Sequence, residues 1–253
     1  MTDGDTPLVG IVFVSHSADL ARGIVEVAGQ MAPSVALVAA GGTDDGGVGT
    51  SFLKVTSAID EADAGAGVVV LSDLGSALMI AETVADQLPD SRRSRVAVVD
   101  APFVEAGVAA AVAAETRGDF TAVVAAAEGA REAWEGMPAS GGPIASASTA
   151  SSPARSETGD APGSDESVVR FVREVTLRNK DGLHARPAAE FVKLANTFDA
   201  KVTVNGKDAR SLLGIMSLGL NVGASAEIAS SDPGGETAVN ALAALVESGF
   251  GEA

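Results

Sequence analysis

The chain has no cysteine and no tyrosine, one tryptophan, and only two histidines in 253 residues. Without cysteine there is no disulfide framework and no thiolate-ligated metal centre, and a reducing compartment suits the chain. Basic residues are half as numerous as acidic ones, 17 against 34, giving a formal charge of −17. That charge repels nucleic acid and anionic lipid before contact, so neither is an expected partner. Long hydrophobic runs are missing too. The first residues are acidic, and the apolar run at 8–14 is too short and too β-branched for a signal peptide or a membrane span, which points to a cytoplasmic protein with no membrane association. Two histidines far apart, with no cysteine, do not make a ligand set, so neither a metal nor a bound cofactor is expected.

What is present falls into two halves. Apolar runs at 8–14, 35–39, 67–71 and 95–99 read as buried strands, separated by helical spacing at 20–31, 52–62, 76–87, 103–115 and 120–134. Strands alternating with helices predict an α/β fold with a doubly wound parallel sheet, whose ligands sit beyond the carboxyl ends of the strands. From Met137 to Glu166 the chain is mostly Ser, Ala, Gly and Pro, too poor in large apolar side chains to offset the entropy of ordering it. Such a tether spans on the order of 30 Å. Beyond it, strand signals at 168–177, 201–204 and 226–230 and helical signals at 185–196, 212–220 and 235–248 predict a small α+β open-faced sandwich, with a hairpin turn at Asn205-Gly206. The expected organisation is therefore a domain over 1–136, a flexible linker over 137–166 and a second domain over 167–253.

Each histidine lies at the junction of a strand or turn with a helix, His16 in Val14-Ser-His16-Ser and His184 in Asp181-Gly-Leu-His184-Ala-Arg186-Pro187. Neutral imidazole is a nucleophile at cytoplasmic pH, and the adjacent helix starts offer unpaired N–H groups to an anion, of which phosphate is the natural candidate. Arg186 would meet a phosphoryl group on His184 with its guanidinium. Asp73, just past the third strand, is placed to hold the other nitrogen of His16 if the first and third strands are neighbours; it reads equally well as a helix N-cap. The Gly-rich loop 41–50, with Gly42 and Thr43, could lay N–H groups around a phosphate, although Asp44 and Asp45 oppose an anion there and the loop lacks the Gly-Lys-Ser/Thr ending of a P-loop. Gly75 and Ser76 mark a second candidate active-site loop.

The strings Asp181-Gly-Leu-His-Ala-Arg-Pro-Ala188 and Lys207-Asp-Ala-Arg-Ser211-Leu-Leu-Gly-Ile-Met-Ser-Leu218 resemble the histidine-containing phosphocarrier protein (HPr) of the phosphoenolpyruvate-dependent phosphotransferase system. That resemblance covers about 167–251. It implies phosphate carried covalently on Nδ1 of His184, steadied by Arg186, and an apolar patch with Leu212 and Leu213 that docks partners. Ser211 matches the family's regulatory serine and reads as well as a helix N-cap. The N-terminal strings Val-Ser-His16-Ser, Gly-Gly-Thr-Asp-Asp-Gly-Gly-Val-Gly-Thr50 and Ser72-Asp-Leu-Gly-Ser-Ala77 resemble the mannose-type enzyme IIA, and more closely its variant in the phosphotransferase subunits of phosphotransferase-dependent dihydroxyacetone kinases. This second resemblance implies phosphorylation of His16 on Nε2, a hydrogen bond from its Nδ1 to Asp73, and a homodimer through the N-terminal domain. It also implies a relay from a separate enzyme I, with or without a free HPr, through His184 and His16 to ADP on the kinase's nucleotide-binding subunit. A sugar-uptake component of the mannose family and a module switched by phosphorylation are the two rival readings.

Overall fold

Alternation along two neighbouring strands sorts the first core into two layers. The computed structural model describes residues 6–135, 170–180 and 182–251; the expected tether, 137–166, lies outside the described residues. Strands β1 (Gly10–Ser15), β2 (Leu37–Gly41), β3 (Val68–Ser72) and β4 (Val96–Val99) form a parallel sheet in the order β2-β1-β3-β4. Ile11, Phe13, Val69 and Leu71 face one side, toward α1 (Ala18–Met31), α5 (Phe103–Glu115) and α6 (Phe120–Glu135). Val12, Val14, Val68 and Val70 face the other, toward α2 (Phe52–Ala62) and α3 (Gly75–Gln87). Successive side chains on a strand point to opposite faces, so a run of branched apolar residues fills both layers and is buried throughout.

Helix α5 is apolar almost all round, with Ala106 to Val112 and Ala114 all buried. A helix of that kind needs cover on its outer as well as its inner face. On the inner face Gly107 admits the ring of Phe13, which lies 2.4 Å from where a Cβ would sit, while Phe13 meets Phe103 edge-on at 5.9 Å between ring centres. Gly107→Ala should therefore destabilise the protein by about 1–3 kcal/mol through overpacking, read as a lower denaturant midpoint with an unchanged slope.

The second unit has an antiparallel sheet in the order β5-β8-β6-β7, built from β5 (Phe171–Thr176), β6 (Thr203–Val204), β7 (Lys207–Asp208) and β8 (Ser225–Ser230), with α7 (Ala185–Ala195), α8 (Leu212–Met216) and α9 (Gly235–Glu247). Asn205 and Gly206 both take positive φ, 46° and 80°, as a tight hairpin requires. Helices α7 and α8 rest on α1, α5 and α6 of the first unit.

Several boundaries differ from the sequence reading. Strand β2 begins at Leu37 rather than at 35, because Val35 is still in the turn that leaves α1, where its N–H bonds Ala32 O. Helix α8 stops at Met216 rather than 220: the N–H groups of Leu218 and Gly219 reach back only three residues, to Ile215 and Met216, and Gly219 turns left-handed at φ 57°. A short α4 (Asp90–Arg93) and the two-residue β7 had no periodicity to betray them.

Candidate functional site

Strands β1 and β3 are neighbours, with Val14 opposite Ser72, so the residues that follow them meet at the carboxyl edge of the sheet. There the Asp73 carboxylate accepts three hydrogen bonds. His16 Nδ1 lies 3.0 Å from Oδ1, and Oδ2 accepts from the His16 backbone N–H at 2.9 Å and from the Ser15 hydroxyl at 2.8 Å. Ser15 is fully buried and itself accepts from Ser17 N–H at 3.0 Å. Burial alone would raise the Asp73 carboxyl, but the bonds from the His16 ring, the His16 N–H and Ser15 outweigh it and hold the group below its ordinary value. The N-cap reading of Asp73 is thereby corrected: Leu74 occupies that position, and no side chain caps α3.

This arrangement selects a tautomer. A carboxylate only accepts, so the proton sits on Nδ1 and Nε2 keeps its lone pair. Ser76 Oγ lies 2.8 Å from Nε2 and donates to it. Ser76 stands in the first turn of α3, whose uncapped N-terminus carries the positive end of the helix dipole. The imidazole is about one-fifth exposed, open to a partner on its Nε2 side.

The Gly-rich loop does not offer the cradle its composition suggested. Gly42 N–H donates to Ser15 O, Thr43 N–H to Gly47 O and Gly49 N–H to His16 O, so Gly42 and Thr43 have no amide left for an anion. The loop serves as a brace instead. Lys54 clamps it by donating to Gly41 O at 3.1 Å and Thr43 O at 2.8 Å. Asp44 and Asp45, both exposed, accept from the hydroxyls of Ser51 and Thr43 respectively. The sequence reading missed Lys54 and the buried role of Ser15; one basic residue among so many Gly and Asp was the only available signal. Gly75 has open space around its missing side chain and makes no demand for glycine.

In the second unit His184 is the N-cap of α7 and is exposed. Its turn is pinned from three sides. Gly182 takes φ 69°, and a Cβ there would fall 2.2 Å from Leu220 O. Leu183 N–H donates to Leu220 O at 2.8 Å, and buried Asn179 donates from its side chain to Gly182 O at 2.7 Å. Asn179 was not legible in advance. Arg186 extends along α7 toward Glu190, 3.7 Å away, on the exposed surface of the first turn. Ser211 caps α8, accepting from Gly214 N–H at 3.1 Å. Leu212 is buried at 4% exposure and Leu213 is partly buried; as a docking patch both are covered in this arrangement.

Two protein families match in chain order: the phosphotransferase-system fructose IIA component (EIIA-man) over residues 10–124, and the HPr component phosphorylation site over 171–248. A Listeria innocua protein, "PEP-dependent dihydroxyacetone kinase 1, phosphoryl donor subunit DhaM", is 39% identical over 102 residues, covering 40% of this chain and 78% of that protein. The chain belongs to the DhaM family. The Escherichia coli K12 protein "PEP-dependent dihydroxyacetone kinase, phosphoryl donor subunit DhaM" is 33% identical over 256 residues, covering 97% of this chain and 51% of its own length. The chain thus spans about half the length of that DhaM relative. Its C-terminal unit is also similar to the phosphocarrier protein HPr of Cupriavidus necator, 38% identical over 84 residues, which cover 32% of this chain and 94% of that protein. His16 and Asp73 fall inside the EIIA-man match, His184 and Arg186 inside the HPr match.

Proposed function

We propose that the chain is a two-histidine phosphoryl relay, taking phosphate from enzyme I or a free HPr on His184, passing it to His16, and delivering it to ADP on the nucleotide-binding subunit of a dihydroxyacetone kinase. The observation that carries this reading is the His16 ring, held by Asp73 with Nδ1 protonated and Nε2 presenting its lone pair beside Ser76. In the internal step the Nε2 lone pair attacks phosphorus, the bond from phosphorus to Nδ1 of His184 breaks, and that nitrogen recovers its electron pair. In the delivery step a terminal β-phosphate oxygen of ADP attacks, and the bond to Nε2 breaks. Asp73 stabilises the positive charge that the imidazole gains while phosphorylated, and Ser76 with the α3 N-terminus receives the phosphoryl oxygens. Little covalent help is needed beyond alignment and charge.

On this reading the catalytic residues are His16 and His184, with Asp73, Ser76 and Arg186 orienting or steadying phosphate. The working divisions are 1–136, 137–166 and 167–253. The chain acts as a phosphotransferase subunit in the cytoplasm, which accords with its lack of cysteine and with the finding that no helix among the described residues is long and apolar enough to cross a membrane. A homodimer through the N-terminal unit would use the outer face of α1, where Leu20 and Val27 lie exposed at 44% and 50%. Sedimentation should give twice the chain mass, and Leu20→Asp/Val27→Asp should give the monomer; a monomeric parent chain would refute the pairing.

The relay itself is tested by incubating the chain with phosphoenolpyruvate and enzyme I and measuring intact mass before and after adding the kinase subunits with ADP. Acid-labile phosphate should appear and then leave as ATP forms. Phosphate that stays on the chain in the presence of the kinase subunits would favour a switch over a relay. Phosphate that never arrives would defeat the assignment to the phosphotransferase system.

A further inference from the structure

The contact between the two units has a position that the relay does not explain. Helix α5 runs back from the carboxyl edge of the sheet, since β4 ends at Val99 and α5 starts at Phe103. Its last turn therefore lies roughly 18 Å from the edge that carries His16. The second unit is seated at that far end. Leu212, Leu213 and Ser217 line one groove with Val112, Ala113 and Thr116 of α5, α8 lying against α5 and α6, and Lys193 of α7 pairs with Glu115 at 3.9 Å. On α6 the facing residues are Ala122, Ala125, Ala126 and Gly129, spaced along one helical face.

We propose that the small-residue face of α5 and α6 is a parking surface for the chain's own α8, separate from the transfer face around His16, and that parking hides the Leu212–Leu213 patch from other proteins. Three observations support release rather than a permanent seam. The two units border an open groove of about 730 Å³, unlike the close packing of a permanent core. Ala122 and Ala125 remain exposed at the contact. Its ion pair, Lys193 with Glu115, is long and contributes little. Meanwhile α5, apolar on its outer face as well, gains the cover that its composition demands. For His16 to receive phosphate from the second unit of the same chain, α8 must leave this seat.

The chain has no native cysteine, so two labels can be placed cleanly. Glu82→Cys on α3 and Thr237→Cys on α9, both exposed and outside either site, would carry spin labels on the full chain. In excess unlabelled chain, which dilutes out label pairs between the protomers of the proposed dimer, a single narrow distance is expected. It should spread into a broad distribution in Ala122→Glu/Ala125→Glu and in Leu213→Asp, the latter read by distance alone. A broad distribution in the parent, or a narrow one that survives both variants, overturns the proposal; a narrow distance lost on dilution with unlabelled chain reassigns the seat to a second copy. These readouts involve no phosphate, so they fail or succeed independently of the relay. With enzyme I, Ala122→Glu/Ala125→Glu should load His184 about 10-fold faster if about nine chains in ten are parked; an unchanged rate would refute the masking.

Discussion

The His16→Gln chain should still accept one phosphoryl group, on His184, and should pass none of it to the kinase's nucleotide subunit. Glutamine keeps a polar side chain of similar reach against Asp73, so the fold at the sheet edge is preserved, but an amide nitrogen has no lone pair available for phosphorus. Intact mass should show one phosphate in place of two, and ATP formation should fall to the level seen without the chain. The converse variant, His184→Gln, should lose its loading by enzyme I alone, and a free HPr should restore it if that carrier can reach His16 directly. Continued delivery to ADP from His16→Gln would show that His184 serves the kinase itself and that the order of the relay is wrong.

Asp73→Asn should lose about 10²- to 10⁴-fold in the rate of transfer through His16, by analogy with carboxylates that hold a histidine tautomer elsewhere. The size follows from the three bonds the carboxylate accepts. Asparagine can turn its NH₂ toward Nδ1, which moves the ring proton to Nε2 and removes the nucleophilic lone pair; the negative charge opposite the phosphorylated ring is lost as well. A pH signature separates this from a mere loosening of structure. Because Asp73 titrates below its ordinary value in the fold, its charged form contributes stability that is fully present above the unfolded value of about 3.9 and fades as pH falls through the lower folded value. Melting temperatures of parent and Asp73→Asn should therefore differ at pH 7 and converge on acidification below about pH 4. A gap of constant size across that range would assign the loss to packing.

The sequence was most legible where a short string determines a backbone event. Helix α5 was read with its observed bounds, Phe103–Glu115, since apart from Glu105 and Glu115 only small and apolar residues lie between the preceding Pro102 and the Thr-Arg-Gly that ends it. The His16–Asp73 contact and the place of His184 at a helix start after a Gly turn were legible because histidine is scarce in this chain. What escaped were residues whose role depends on tertiary register. Ser15 looks like any serine beside a histidine until β3 brings Asp73 alongside, and Asn179 looks like a loop residue until its side chain reaches Gly182 O. The Gly-rich loop misled for the same reason: glycine makes backbone N–H groups accessible, but only the folded neighbours decide whether Ser15 O and His16 O claim them first. The seat of α8 on α5 and α6 was invisible, because a row of alanines states that something packs there and not what.

The two ring nitrogens of His16 are held with unequal firmness, and this bears on reversibility. Nδ1 is fastened to a carboxylate that the backbone and a buried serine also grip, whereas among the described residues Nε2 meets only the hydroxyl of Ser76. If His16 carries phosphate as proposed, loading and unloading then require the rotation of the Ser76 hydroxyl and no turn of the ring. On the proposed relay, so small a rearrangement adds little to the barrier in either direction, and the direction of flow follows the phosphoryl potential of the donor against that of ATP rather than a conformational latch in the protein.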